Sequence, residues 1–586
     1  MNIDIIVVLA YFAFLIAIGW MFRSFSTSTS DYFRGGGKML WWMVGATAFM
    51  TQFSAWTFTG AAGKAFTDGF AVVILFLANA FGYFMNWAYF APKFRQLRVV
   101  TAIEAIQKRF GRTSEQFFTW GSMPDSIISA GIWLNGLAIF VAAVFNIPME
   151  TTIVATGLVL LVMSVTGGSW AVVASDFVQM LVIMAVTITC AIAAYIQGDG
   201  ITNIINNFHG NFMVGSDLNY MSIFVLWIIF IFVKQFGVMN NSINSYRYLC
   251  AKDSENARKA AGLACILMIV GPVIWFLPPW YVNAFLPDFA NAYASMGNKA
   301  GDAAYLAFVQ EVMPAGMVGL LMAAMFAATM SSMDSGLNRN AGIFIRNFYS
   351  PVIRKEKASE KELMFASRVA TVAMGLIIIA IGLFINSLKG LSLFDIVLNV
   401  GALIGFPMLI PVLLGMWIRN TPDWSGWATL IVGAFVSYFF GIALTADDVN
   451  HFLHLDPILT GREWGDLKVG LSLGAHVVIT GGFFLLTYFF FKPRSEEREA
   501  EVEELFRDWD TPVLSSGSEQ QNLDTRQRSI LGNLTTIAGF GILAMALIPN
   551  EPMGRVMFII CGSLVLVSGI LLIQASKKPA PIEAEE

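Results

Sequence analysis

Runs of apolar residues recur along almost the whole of this 586-residue chain, and that recurrence restricts the fold more than any single motif does. A bilayer core is about 30 Å thick and a helix rises about 1.5 Å per residue, so a spanning helix needs roughly 20 apolar residues. Scanning on that basis predicts about fifteen spans: 3–22, 41–66, 70–91, 116–145, 151–166, 171–196, 220–246, 260–286, 316–348, 363–385, 391–418, 424–444, 469–491, 530–548 and 556–573. With 56% hydrophobic residues, 13% charged and a mean hydropathy of +0.66, the chain is too apolar for a water-soluble protein of this length. The expected fold class is an all-α polytopic membrane protein.

Three of the predicted spans carry polar groups where hydrocarbon is expected. Residues 327–338 hold Thr329, Ser331, Ser332, Asp334, Ser335 and Asn338. Left unpaired in a bilayer such groups are costly, so their clustering points to a buried ion site rather than a lipid-facing surface. Oxygen ligands alone suit a hard cation. Residues 51–63 place Gln52, Ser54, Thr57 and Thr59 among Gly and Ala. A helix interrupted at mid-membrane frees carbonyls that bind cations; tight packing through small residues is the other reading. Residues 166–179 bring Asp176 into a span soon after Gly167-Gly168, and an intramembrane carboxylate is either functional or a structural pair.

Lys and Arg cluster after every second span. Lys93, Arg95, Arg98, Lys108, Arg109 and Arg112 fill one expected loop, and Arg247, Lys252, Arg258 and Lys259 the next. Arg339, Arg346, Arg354, Lys355, Lys357 and Lys361 fill a third, whereas 199–220 has none. Basic loops stay cytoplasmic, so the N-terminus is expected outside and the C-terminus in the cytoplasm. The first span starts at Ile3 with no basic stretch or cleavage site before it and reads as a retained helix. Cys190, Cys250, Cys265 and Cys561 lack metal-ligand spacing and read as core fillers. Loop-confined charges summing to −4 offer no nucleic-acid surface. Four His and no nucleophile–base constellation argue against an enzyme. The Glu-rich stretch opening 492–529 reads as a solvated helix plus disordered connector, with a regulatory or partner-binding role as the alternative.

These segments together resemble the sodium:solute symporter family, the sodium-glucose and sodium-proline cotransporters and their bacterial relatives. Ser54, Trp56 and Gly60 match the Ser-x-Trp-x-x-x-Gly pattern of the proline branch, and 167–179 match the Gly-Gly…(Ser/Thr)-Asp-x-x-Gln pattern. The Ser331-Ser332 helix runs on to Asn338 and Ile343-Phe344, and Arg247-x-Leu249-x-Ala251-Lys252 follows another core helix. The resemblance covers 3–491 and leaves the last two spans as an extension. It implies a five-plus-five inverted repeat with broken helices and sodium-driven uptake by alternating access, in a bacterial inner membrane. The expected division is a first helix and loop (1–40), two repeats (41–196 and 220–418) and additional helices (419–491). A charged cytoplasmic linker (492–529) and two appended helices with a tail (530–586) complete it.

By the family's pattern the main co-transported Na+ takes the carbonyls of Met50, Phe53 and Ala328 and the hydroxyls of Ser331 and Ser332. Joining a broken helix to a distant one makes ion occupancy report on their closure. A second sodium is implied at Asp176 with Ser331, Asp334 and Ser335. Asp334 stands where relatives often carry a hydroxyl, and two close carboxylates repel so that one can hold a proton instead. The sugar-contacting positions match Gln52, Ser54, Thr57, Phe76, Ser129, Lys234 and Asn399. Phe76 replaces a polar group and Lys234 an amide. A buried ammonium needs either a protein carboxylate such as Asp125 or an anionic solute. The expected function is sodium-coupled import of a small organic solute, a sugar acid or monocarboxylate ahead of a neutral sugar. Amino-acid symport, a symporter-like sensor and a membrane enzyme or channel are the alternatives, the sensor disfavoured by the shortness of the linker.

Overall fold

The computed structural model describes residues 3–22, 34–145, 147–166, 169–286, 288–289, 300–355, 357–388, 392–514 and 518–577. Among them the chain is helical throughout, with one isolated bridge between Met39 and Ala251 and no strand. Helix α1 is Ile3–Phe22, and the next span is in three pieces, α2 (Trp41–Thr51), α3 (Ala55–Phe58) and α4 (Gly60–Asp68). Then come α5 (Ala71–Gln96), α6 (Ala102–Phe145), α7 (Met149–Thr166) and α8 (Ser169–Gln197). The second half comprises α9 (Met221–Met239), α10 (Ser254–Phe285), α11 (Met317–Ile353), α12 (Glu360–Ser387) and α13 (Leu393–Gly415). Beyond it lie α14 (Ser425–Ala443), α15 (Gly461–Phe490), α16 (Glu496–Asp510), α17 (Ser518–Ala544) and α18 (Pro552–Lys577). Among the described residues twelve helices are long and apolar enough to cross a membrane. The other expected spans are the shorter apolar stretches Ile3–Ile18 and Met149–Val162 and the interrupted α2–α4.

The interruption has a local cause. Gln52 ends α2, and Ser54 is extended (φ −150°, ψ −178°), its hydroxyl accepting from Trp56 N at 3.2 Å to start α3. Thr59 breaks the chain again (φ −118°, ψ −88°). The freed amide of Ala55 donates to Thr329 Oγ1 on α11 at 3.2 Å. The break is therefore held by a distant helix. In the second half, α9 gives way at Met239 to turns and a short 3-10 helix, Tyr246–Cys250.

Several basic residues expected in loops are structural. Helix α6 begins at Ala102, bends at Gly111 (φ 76°) and carries Lys108, Arg109 and Arg112. Arg109 is buried and donates to the carbonyls of Gly415 (2.7 Å), Ile418 (2.6 Å) and Arg419 (3.1 Å). Arg95 and Arg247 are likewise buried. The sequence pattern counted them as loop charges because a helix that runs past the bilayer looks like a loop in a hydropathy scan.

In the described part of the linker, α16 is a packed helix rather than a solvated one. Val502, Leu505, Phe506 and Trp509 form a buried stripe on α16 at helical spacing. Its acidic face meets the basic ends of distant helices: Glu504 pairs with Lys108 (3.0 Å), Asp508 with Arg98 (3.3 Å) and Asp510 with Lys93 (3.0 Å). Arg494 and Arg498 both reach Asp423 between α13 and α14 (3.1 and 3.0 Å). Exposed pairs contribute little singly, so the apolar stripe supplies most of the docking. Trp509→Ala should weaken it by about 3 kcal/mol, the low end for a buried large-to-small change. Limited proteolysis should then cut within 492–514 markedly faster than in the wild type, and an unchanged cleavage rate would show that Trp509 does not hold the helix.

Helices α17 and α18 form a close hairpin. A Cβ at Gly539 would lie 2.6 Å from Leu566 N and one at Gly569 2.6 Å from Thr536 N, the small-residue contact typical of helices packed in a bilayer. This hairpin packs on α8.

Candidate functional site

Two polar centres sit where the broken helix meets the second half. At the first, Ser332 Oγ on α11 lies 3.2 Å from Met50 O and 3.1 Å from Phe53 O. One hydroxyl proton cannot satisfy both carbonyls, so an oxygen-lined pocket with spare lone pairs spans α2 and α11. Ser331 Oγ is buried beside Asp176 and, among the described residues, makes no hydrogen bond of good geometry. Ala328 is fully buried one turn earlier on α11. The residues present thus fit a monovalent cation held by neutral oxygens.

The second centre surrounds Asp176 on α8, which is fully buried. Its Oδ2 accepts a hydrogen bond from Thr47 on α2, Ser331 lies beside it, and Oδ1 has no partner among the described residues. Arg247 is the nearest positive charge acting on it. Gln179, a turn further along, has both amide atoms buried without partners among the described residues. Asp334 and Ser335 lie on α11, but their side chains fall outside the described residues, as do Gly167 and Gly168.

Next to these centres is a cavity of about 180 Å³ between α2, α3, α5, α6, α9, α11 and α13. Of the sequence-predicted solute positions it takes Gln52, Ser54, Asp125, Ser129 and Lys234. Three do not reach it. Thr57 is buried with its hydroxyl unpartnered, and Phe76 lies behind Trp56, ring centroids 6.4 Å apart. Asn399 lines a separate apolar groove against α14 instead, its amide donating to Asp395 O at 2.8 Å.

Lys234 is buried, and Nζ lies where a Cβ on Gly401 would be 2.7 Å away; a Cβ on Gly405 would be 3.2 Å from Asp125 Oδ1. The two charges therefore abut the same π-helical turn, Gly401–Gly405, and glycine at both positions makes the room. Such π turns recur at functional sites. Among the described residues neither Lys234 nor Asp125 makes an ion pair within 4.0 Å. Trp56 closes one end of the cavity, stacked on Phe394 (5.8 Å) with its indole N–H on Leu393 O (3.3 Å). Beyond that layer, Lys64, Asp68 and Arg462 form a mostly buried ion network (2.6 and 3.2 Å).

Sequence reasoning missed Thr47, Asn79, Gln235 and Arg339. Gln235 hydrogen-bonds Asn79 across the cavity wall. The available signal was position: Gln235 directly follows Lys234, and Asn79 lies one helical turn from Phe76. Arg339 also lines the cavity and is half-buried on α11, although its basic neighbours downstream made it read as a loop residue.

Comparison with known proteins places this arrangement. A solved Na+-coupled sialic acid symporter, substrate-bound and outward-open, matches 84% of this chain and 99% of its own at TM-score 0.64 and 21% identity. A nucleobase-cation-symport-1 transporter in a closed conformation matches 80% and 98% at TM-score 0.52 and 13% identity. The fold is that of the inverted-repeat transporters. The family model described as the sodium:solute symporter family matches residues 32–433, and the chain belongs to that family. Its relatives include a sodium/glucose cotransporter of Vibrio parahaemolyticus, 28% identical over 75% of this chain and 85% of its own. A sodium/sialic acid symporter of Aliivibrio fischeri is 26% identical (77% and 90%), and sodium/myo-inositol cotransporter 2 of Rattus norvegicus is 26% identical (73% and 68%). The chain is thus a multi-pass membrane transporter that couples solute movement to Na+.

Proposed function

We propose that this symporter imports a small organic anion, a sugar acid or monocarboxylate, by alternating access across a bacterial inner membrane. The observation that carries this reading is Lys234, a buried ammonium at the cavity wall that among the described residues has no ion-pair partner within 4.0 Å. A desolvated cation gains more from a carboxylate than from a hydroxyl. Asp125 on the same cavity is what favours the second reading, a neutral sugar, with the two residues balancing each other electrostatically. In both, the N-terminus lies outside and the C-terminus in the cytoplasm. Proteoliposomes with an imposed sodium gradient test the proposal: a uronate should accumulate and its parent sugar should not. Accumulation of the sugar alone would leave symport standing and overturn the anionic solute.

The main sodium site in this reading comprises the Met50, Phe53 and Ala328 carbonyls with Ser331 and Ser332. A second sodium sits at Asp176 with Ser331, Asp334 and Ser335. Asp176 Oδ1 and Ser331 Oγ, buried without a well-placed partner among the described residues, support it, since buried polar atoms without partners call for an explanation. Asp176→Asn should make transport less steep in sodium. A wild-type Hill coefficient near one that the substitution leaves alone would count against a second ion.

A further inference from the structure

We infer that Arg339 is a second selectivity residue, and that Lys234, Arg339 and Asp125 together select a solute with one net negative charge over neutral and doubly negative ones. This rests on the anionic-solute reading and sharpens it. Arg339 reaches the cavity from α11 and Lys234 from α9. Its hydrogen bonding among the described residues is poor for a half-buried guanidinium: Nη1 has a long contact to Asn244 Oδ1 (3.4 Å), and Nε is buried with no partner there. The group lies over the Tyr246 ring at 5.7 Å. Arg339 and Lys234 are the two positive charges that act on Asp125, yet among the described residues none of the three is in an ion pair within 4.0 Å.

Two cations and one carboxylate leave a single positive charge on the described side chains that line this cavity. Behind Tyr246, Arg247 faces the ring at 4.7 Å; it and Asp176 do not line this cavity and belong to the centre around Asp176. An uncompensated charge away from water is costly. A monoanion removes it, a neutral solute leaves it in place, and a dianion reverses its sign. A guanidinium also offers a planar fork of donors that suits a carboxylate, which a purely electrostatic Lys does not. The competing role for Arg339 is structural, pinning Asn244 and Tyr246 after α9, and that role is blind to solute charge.

The test is thermal stabilisation of the purified full-length protein in sodium by three matched series: acetamide, acetate and malonate; glycerol, glycerate and tartronate; glucose, glucuronate and glucarate. The wild type should answer best to a monoanion. Arg339→Gln should weaken that monoanion at least about 30-fold, the lower end for truncating one partner of a buried charge pair, while its neutral counterpart holds or gains. Asp125→Asn should move the preference toward the dianion, and Arg339→Lys should keep the wild-type ranking. Equal weakening of neutral and anionic members by Arg339→Gln overturns the inference, as does no weakening or the absence of any response to a monoanion in the wild type. If Lys234→Gln removes the preference for anions and Arg339→Gln does not, the anionic-solute reading survives and this inference alone fails. If the wild type prefers a neutral member, both fail, and sodium dependence of that response leaves symport intact.

Discussion

Lys234→Gln is expected to cost about 2–5 kcal/mol of anionic-solute binding, the range for losing one partner of a buried, hydrogen-bonded charge pair. Affinity for a neutral analogue should change far less. The asymmetry follows from the surroundings. Lys234 is packed against Gly401 on a turn with no polar side chain of its own, so the solute is the group that would answer its charge most directly. If Asp125 were the true partner, removing Lys234 would strand a carboxylate in the cavity and disturb stability and every solute alike. Comparing a uronate with its parent sugar in wild type, Lys234→Gln and Asp125→Asn separates the two cases. Equal loss for both ligands would defeat the charge-selective role.

The parts of this molecule that were legible in the sequence are those in which one residue's chemistry is decisive whatever surrounds it. Long apolar runs have no stable home but a bilayer or a buried core, so the spans could be read directly. Polar residues set among Gly and Ala at 51–63 marked the broken helix, which restarts where the extended Ser54 accepts from Trp56 N. The family's pattern ties Ser332 to Met50 and Phe53, and Ser332 Oγ lies against both of their carbonyls.

What failed was register and reach. Asn399 precedes the π turn at Gly401–Gly405 and faces the groove against α14, whereas Gly401 and Gly405 face the cavity. An extra residue in one turn shifts the helical face by a large fraction of a rotation, and nothing in the hydropathy pattern announces it. Phe76 and Thr57 lie one layer behind the wall, a distinction that depends on which side of Trp56 they pack. Arg339 and Arg247 read as loop charges because composition does not reveal that their segments remain inside the protein. The docking of α16 on basic ends hundreds of residues away could not be seen from local charge density at all.

Ser332→Ala is expected to raise the half-saturating sodium concentration for transport about 10-fold or more, since hydrogen bonds and contacts to a charged partner are worth roughly 1.5–3 kcal/mol each. The protein should still fold. The contact between the broken helix and α11 does not depend on Ser332 alone, because Ala55 N remains bonded to Thr329 Oγ1 and the hydroxyl lost is the one with two carbonyls to serve. Thr329→Val supplies the comparison: it loosens the same helix contact without removing an oxygen from the proposed ion site. If Ser332 acts as a sodium ligand, Ser332→Ala should shift the sodium dependence much more than Thr329→Val at similar thermal stability. Equal shifts in the two variants would mean that helix closure, rather than direct coordination by Ser332, sets the apparent affinity for sodium.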